Sequence, residues 1–404
     1  MALVTKTARG EEVSCPAGQK TVPVGPLPDA FDIVKPRSGI EWATAPNDTG
    51  FWLVSEYKLA RQILADRRFC RSDAAGRNAP NIASYKSAPD AIISLEGAEH
   101  ARIRRLAAPA FTERRIADLA PFVAQSAEDL LDGLETQRTP ADFVSHVSSP
   151  LPFRVLCHLL GVPPADRELF GSWVNVLFRL EDSSADTRQQ SIALARYMMR
   201  VVAEKRRAPS ADLISQLIRS AEAEGSVTNH EIVTLCLSLL MAGFDTTVDQ
   251  ITLCVLTMLL DPALMKNLID NPEFIPHVTE ELMRVNPATY MSFPRMAAER
   301  VCVGGAVIQP GQLVAVSIMA ANRDPAAFNL ADEVALEGSS PAHLTFGHGV
   351  HRCLGAPLAF LQITTLLAAL VRRFPQLRLA EDPSSLTWKT GMATRGLRQM
   401  YVTW

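Results

Sequence analysis

Hydrophobic positions along the 404-residue chain recur mainly at helical spacing, and proline and glycine mark the breaks between runs. Residues 1–30, with Pro16, Pro23, Pro26 and Pro28, read as an extended, partly disordered lead-in, and 31–404 as a single domain. Phe51-Trp52-Leu53-Val54 reads as a short strand and Tyr57 to Ala65 as a helix. Residues 71–93 contain Gly76, Pro80 and Pro89 with little periodicity, which predicts a long surface loop of the lid or binding type. Helical segments follow from Glu99 to about Gly161, broken by Pro109, Pro140, Pro150 and Pro152, and Pro163-Pro164 opens another that passes Arg200. Thr228 with Glu231 three residues on is a capping-box start for a long helix ending near Asp261-Pro262. After Arg284, Val301–Val303, Ala306–Ile308 and Leu313–Ile318 read as strands around Gly304-Gly305 and Pro310-Gly311 turns. A loop-rich stretch, Asn322 to Val350, precedes an amphipathic helix, Leu354 to Phe374, and a hairpin-like tail. The pattern predicts a mainly α fold with a minor β component.

The run Ile232 to Leu260 is apolar enough to raise the question of a membrane span, but Asp245 and Asp249 fall in its middle. Each charge at a helix centre costs ~2.5–3.5 kcal/mol on insertion, so a helix buried in a soluble protein is expected instead. At 48% apolar and 21% charged residues the chain can bury a large core. A formal net charge of −3 argues against bulk electrostatic capture of nucleic acid or an anionic membrane. Seven scattered cysteines without a CxxC read as reduced thiols, six of them ordinary core residues. Met1 to Lys20 lacks an apolar run of signal-peptide type, so a cytoplasmic protein is expected.

The most informative segment is Phe346-Gly347-His348-Gly349-Val350-His351-Arg352-Cys353-Leu354-Gly355. Its glycines allow positive φ and close backbone approach to a flat ligand. Cys353 falls just before a helix, where loop amides and the helix N-terminus favour a thiolate, a good axial ligand for haem iron. Two other readings fit the same residues: a Gly-rich loop with a structural cysteine, or zinc held by His348, His351 and Cys353.

The segment resembles the cysteine-ligand loop of the cytochrome P450 family, FxxGxxxCxG, as Phe346, Gly349, Cys353 and Gly355. Three further elements agree in order. Ala242-Gly243-Phe244-Asp245-Thr246-Thr247 resembles the family's AGx(D/E)TT, where the helix widens into a groove for dioxygen. The resemblance implies that Thr246 hydrogen-bonds the oxygen being activated and that Asp245 links it to solvent protons. A packing glycine followed by back-bonded threonines is the plainer reading of those residues. Glu281-Leu282-Met283-Arg284 matches ExxR, a structural pair. His100 and Arg104 match HxxxR and, with Arg295 and His351, imply haem-propionate partners. The resemblance, which runs from about Gly50 to Trp404, implies the triangular P450 fold. In it haem b sits between the long central helix and the cysteine loop, near Ala242, Gly243, Phe346, Gly347 and Gly355.

Two positions depart from the family pattern. Glu333 stands where a meander Arg usually completes a triad with ExxR, so Glu281 needs another partner. Phe360 replaces a common Arg on the helix after the cysteine. The implied activity is a dioxygen-dependent monooxygenase that hydroxylates, epoxidises or oxidatively couples a neutral, medium-sized molecule of bacterial secondary metabolism. The residues expected against the substrate are Met241, Ala242, Thr246, Thr289, Met392 and the 71–93 loop. The tail Leu386-Thr387-Trp388-Lys389-Thr390 resembles P450s acting on cyclodipeptides, with macrolide and polyketide tailoring as the alternative. A non-catalytic haem-thiolate sensor is disfavoured by the Asp245-Thr246 pair. Without flavin or iron–sulfur motifs, electrons are expected from a small acidic ferredoxin and its NAD(P)H-dependent reductase. These would dock on a face bearing Arg104, Arg105, Arg114, Arg115 and Arg352.

Overall fold

The computed structural model describes residues 39–404 apart from 46, 77–78, 81, 83–87, 167, 171–184, 226, 337–339 and 390–393. The 1–30 lead-in, most of the 71–93 segment's middle and Met392 lie outside the described residues.

The longest element is the helix Asn229–Leu260, here α8 once its predecessors are counted: α1 Tyr57–Ala65, α2 Arg71–Ala75, α3 Gly97–Ala107, α4 Glu113–Glu135, α5 Pro150–Leu160, α6 Ala185–Arg207 and α7 Leu213–Glu224. Its start is chemically defined. Glu231 N–H donates to Thr228 Oγ1 (3.2 Å) while Thr228 N–H donates to the Glu231 carboxylate (2.8 Å), which satisfies donors that a helix N-terminus leaves open. Every residue from Thr247 to Met258 is buried. The hydroxyls of Thr252 and Thr257 are satisfied within the helix by the carbonyls of Val248 and Leu253, 2.8 and 2.7 Å away. By length and composition α8 and α12 (Ala356–Arg373) could each cross a membrane. Both instead contribute to one hydrophobic core shared with α4, α5, α9 (Pro262–Asp270), α10 (Ile275–Val285) and the C-terminal tail.

A second core lies against a five-stranded sheet ordered β1-β2-β8-β5-β3, formed by Ile40–Thr44, Gly50–Val54, Leu313–Val316, Arg295–Ala297 and Phe69–Cys70. The strands Val301–Val303 and Ala306–Ile308 (β6, β7) pair antiparallel in the register Val301 opposite Ile308. Gly304 and Gly305 both have positive φ, as a two-residue hairpin turn requires. Short β4 (Ala141–Asp142), β9 (Arg378–Leu379) and β10 (Tyr401–Thr403) form a third sheet that ties the C-terminus to the start of the helical core.

Four expectations change. Arg71 to Ala75 is helical rather than loop; five residues are too few to show a period, and buried Arg71 anchors the turn. The strand from Leu313 stops at Val316, because Ser317 caps the short α11 (Ile318–Ala321) by accepting from Ala320 N–H at 3.1 Å. The proline-broken stretch between Glu99 and Gly161 includes the strand β4, which pairs with β10 far along the chain. Among the described residues, only Cys157, Cys236 and Cys254 are core thiols: Cys70 is half-buried, and Cys302 is exposed because it points outward from a strand whose flanking valines point in, while Cys15 lies outside the described residues.

Candidate haem site

The Phe346–Gly355 loop is closed by its own backbone: Cys353 N–H donates to Phe346 O (2.8 Å) and Arg352 N–H to Gly349 O (3.1 Å). Gly347 and Gly349 have φ of +69° and +73°. At Gly349 a Cβ would also stand 2.5 Å from Leu64 O, so only glycine lets this loop seat on the end of α1. Cys353 lies deep in the protein yet keeps exposed surface, so its thiol is accessible at the end of the loop. Burial pushes the thiol up. The Gly355 and Ala356 amides, with Arg104 and Arg352, pull it the other way. The loop and helix amides thus act on this thiol in the direction the sequence implies, against a larger contribution from burial.

Around the loop the structure gathers the four expected cationic or donor side chains. The His100 ring on α3 lies 4.2 Å from that of His351, and His351 Nε2 is 3.2 Å from Glu96 Oε1. Arg104 donates to Arg352 O at 2.7 Å, which ties α3 to the cysteine loop. Arg295 on β5 is buried and donates to Phe69 O at 3.2 Å. Arg295 Nε and His351 Nδ1 are buried without a protein partner. Burial, then the neighbouring His351 and Arg104, pulls His100 down to about 4. Sequence reasoning missed Arg71 and Glu96. Glu96 accepts from the Arg71 backbone N–H (2.6 Å), and the Arg71 guanidinium braces Ile93 O and Pro294 O. An isolated charge at the end of a short strand carries no pattern that would have revealed it. The site thus buries several donors around one carboxylate. Excess buried positive charge with unsatisfied N–H groups calls for an anionic partner, and the two carboxylates of a haem fit that donor set. The zinc alternative is not assembled: among the described residues no three His, Cys, Asp or Glu side chains come together as a metal site.

At the centre of α8, Ala242 is exposed and Met241 and Thr246 are half-buried, so this turn keeps accessible surface where Thr247 to Met258 has almost none. The helix is continuous there and shows no widening. Leu156 of α5 packs against Gly243, its Cδ2 3.2 Å from where a Cβ would stand, so helix packing by itself accounts for a glycine here. Thr246 Oγ1 donates back to Ala242 O at 2.5 Å. Asp245 turns toward the C-terminal hairpin, where its carboxylate accepts from Lys389 Nζ (2.8 Å) and Thr394 Oγ1 (3.2 Å). Lys389, Thr394 and Asp249 were missed. The one legible signal was the i, i+4 spacing of the two aspartates. Thr289 is half-buried beside Ala288, whose N–H donates to Gln250 of α8 and whose carbonyl accepts from Arg395 N–H, so α8, this segment and the hairpin lie side by side.

The structure also answers what replaces the meander Arg. Glu281 and Arg284 form a buried bidentate pair, and the remaining partner of Glu281 is the Ala335 backbone N–H at 3.1 Å. Glu333 is exposed and contributes only its carbonyl, to Arg284. Phe360 lines a groove of about 1120 Å³ with Ile116, Ile269 and Leu361.

A cytochrome P450 family model matches residues 159–273 and 269–395. The chain is 37% identical to the mycinamicin IV hydroxylase/epoxidase of Micromonospora griseorubida, over 87% of this chain and 89% of that one. It is 35% identical to the nocardicin C N-oxygenase of Nocardia uniformis subsp. tsuyamanensis, with the same coverage. The solved structure of the mixed-function P450 MycG superposes with a TM-score of 0.86 at 35% identity, covering 91% of this chain and 94% of that one. The chain belongs to the cytochrome P450 family. It is accordingly a haem-thiolate monooxygenase that uses dioxygen, draws on redox partners and binds small-molecule substrates.

Proposed function

We propose that Cys353 is the axial thiolate, that His100, Arg104, Arg295 and His351 hold the haem propionates, and that Thr246 and Asp245 manage protons for oxygen activation. The observation that carries this reading is an accessible thiol beside a buried cluster with unsatisfied donors. Bound haem supplies the dioxygen chemistry, with the thiolate favouring O–O cleavage. The chain's own residues orient and protonate. Thr246, whose hydroxyl rests on Ala242 O, presents that hydroxyl to the oxygen side, and Asp245 restores the proton it gives up. Met241, Ala242 and Thr289 offer mainly apolar contact to a neutral substrate and exclude water.

For the substrate, the names of the relatives favour a macrolide or other polyketide-derived secondary metabolite over a cyclodipeptide. Electrons are supplied by a small acidic ferredoxin and its NAD(P)H-dependent reductase, for which the exposed Arg105, Arg114 and Arg352 give a basic landing area in a cytoplasmic enzyme without nucleic-acid or membrane partners. The test is spectroscopic. The reduced, CO-bound protein is expected to show the red-shifted Soret band of thiolate ligation, and Cys353→Ser to lose it. A panel of macrolides and cyclodipeptides is then titrated for the ferric spin-state change. A response to cyclodipeptides alone reverses the substrate assignment.

A further inference from the structure

Asp249 stands one helical turn beyond Asp245 and is buried more deeply, with its side chain 1% exposed against 10%. The two carboxylates are joined twice. Lys389 Nζ donates to Asp245 Oδ1 (2.8 Å) and to Asp249 Oδ1 (2.7 Å). Thr394 Oγ1 lies 3.2 Å from Asp245 Oδ2 and 2.7 Å from Asp249 Oδ2. The hairpin closes tightly over the pair, because a Cβ on Gly396 would fall 1.9 Å from Asp249 Oδ1. Other groups packed around it do not neutralise it. Gln250 and Asn286 are uncharged and hydrogen-bonded to each other's segment, and Arg395 stacks on Trp388 at 4.2 Å and donates to Asn286.

A hydroxyl carries one hydrogen. With both carboxylates ionised, Thr394 could donate to one and would turn an oxygen lone pair toward the other at hydrogen-bond distance. The cluster would also bury two negative charges against one ammonium. One proton on Asp249 Oδ2 removes both conflicts: Asp249 donates to Thr394 Oγ1, and Thr394 donates to Asp245 Oδ2. We propose that Asp249 holds a proton and passes it through the Thr394 hydroxyl to Asp245, as a positioning residue for the proton delivery assigned above to Asp245 and Thr246. This proposal rests on that assignment. The Asp249 O–H bond breaks as Thr394 Oγ1 takes the proton, the original Thr394 O–H breaks, and a new O–H forms on Asp245 Oδ2. No electrons are exchanged. Asp249, then ionised, takes a proton from the Lys389 ammonium onto Oδ1, rotation of its carboxyl and of the Thr394 hydroxyl restores the starting arrangement, and Lys389 is reprotonated by water as the cluster's most exposed member, 19% accessible. Burial, together with the charge of Asp245 and against the pull of Lys389, raises the Asp249 carboxyl to about 6, which agrees with a group that holds a proton.

The experiment compares holoenzyme with Asp249→Asn, Thr394→Val and Thr246→Ala. Infrared difference spectra of the resting protein across about pH 5 to 7 read carboxyl groups without turnover. The wild type is expected to show a buried carboxylic-acid band that Asp249→Asn abolishes and Thr394→Val shifts. In turnover with a spin-shifting substrate, Asp249→Asn and Thr394→Val should lower product formation about tenfold and divert reducing equivalents to peroxide, with the CO spectrum and spin-state shift intact. An unchanged band and unchanged coupling in Asp249→Asn, while Thr246→Ala uncouples, overturns the relay and leaves the Thr246 assignment standing. Coupling untouched in Thr246→Ala overturns that assignment instead, and the infrared band still decides whether Asp249 holds a proton.

Discussion

Arg284 meets Glu281 through two parallel hydrogen bonds of 3.0 and 2.7 Å, and both residues are almost completely buried. The rest of the guanidinium is consumed by the carbonyls of Asn322, Leu330, Ala331 and Glu333, so one side chain fixes the end of α10 to the irregular stretch leading toward the cysteine loop. Removing it leaves the buried Glu281 carboxylate with the Ala335 N–H alone and takes the guanidinium donors away from four carbonyls. Arg284→Ala is expected to destabilise the protein by about 3–5 kcal/mol, and Arg284→Lys by a large share of that, since an ammonium cannot reproduce the fork. Denaturant midpoints of the purified variants check this.

Glu333 makes the opposite forecast. Its side chain is exposed, and Glu281 is already satisfied by Arg284 and Ala335 N–H. Glu333→Ala and Glu333→Arg should therefore change stability by no more than about 0.5 kcal/mol. A large gain for Glu333→Arg in the same denaturant experiment would show that Glu281 lacks a partner after all.

These two residues also show what the sequence could and could not reveal. A capping box, a two-glycine hairpin and a long apolar run are local patterns, and Thr228–Glu231, β6–β7 and α8 all formed where those patterns put them. The motif residues His100, Arg104, Arg295, His351 and Cys353 were legible because their spacing is characteristic, and the chain does bring them together. What stayed hidden depends on contacts across long separations. The partner of Glu281 is a backbone N–H 54 residues away, and the partners of Asp245 sit 144 and 149 residues on, in a tail with no periodicity. Gly243 was ambiguous for a related reason: whether a glycine makes room for a ligand or for Leu156 is a question of tertiary neighbours.

Arg295 provides a test of cofactor retention that does not rely on turnover. Its Nε is buried with no protein partner, so a propionate would complete it. A hydrogen bond to a charged group contributes about 1.5–3 kcal/mol, so Arg295→Gln should release haem on the order of tenfold faster or more. Transfer of haem to an excess of competing apoprotein measures it. An unchanged rate would remove Arg295 from the haem-binding set.

Gly396 must remain without a side chain for the Asp245–Lys389–Asp249–Thr394 cluster to close. The obstacle is not a flexible side-chain tip on the surface but a carboxylate held by two partners. Gly396→Ala is expected to destabilise the fold by about 1–3 kcal/mol and to loosen the hairpin from α8. Faster proteolysis within the hairpin, alongside a lowered denaturant midpoint, would register the change.

The same cluster sets a pH dependence of stability with a definite sign. Asp249 is raised from 3.8 to about 6 in the folded chain, mainly by burial, so between those values the folded protein binds more protons at this site than the unfolded one. The contribution from Asp249 is therefore full below about pH 4 and is lost as pH rises through about 6. Lys389 acts in a different range. Its two carboxylate partners raise it above 10.5 despite its burial, so its contribution persists through neutral pH and is lost only when the ammonium titrates. Between about pH 4 and 6 the two groups separate cleanly, because Lys389 is fully charged throughout. Asp249→Asn keeps the shape and the Lys389–Asp245 bond while removing the titrating acid. Unfolding midpoints measured across that interval should decline less steeply with pH in Asp249→Asn than in the wild type. Parallel curves would mean that Asp249 titrates alike folded and unfolded, which would overturn the proton placed on it beside Thr394.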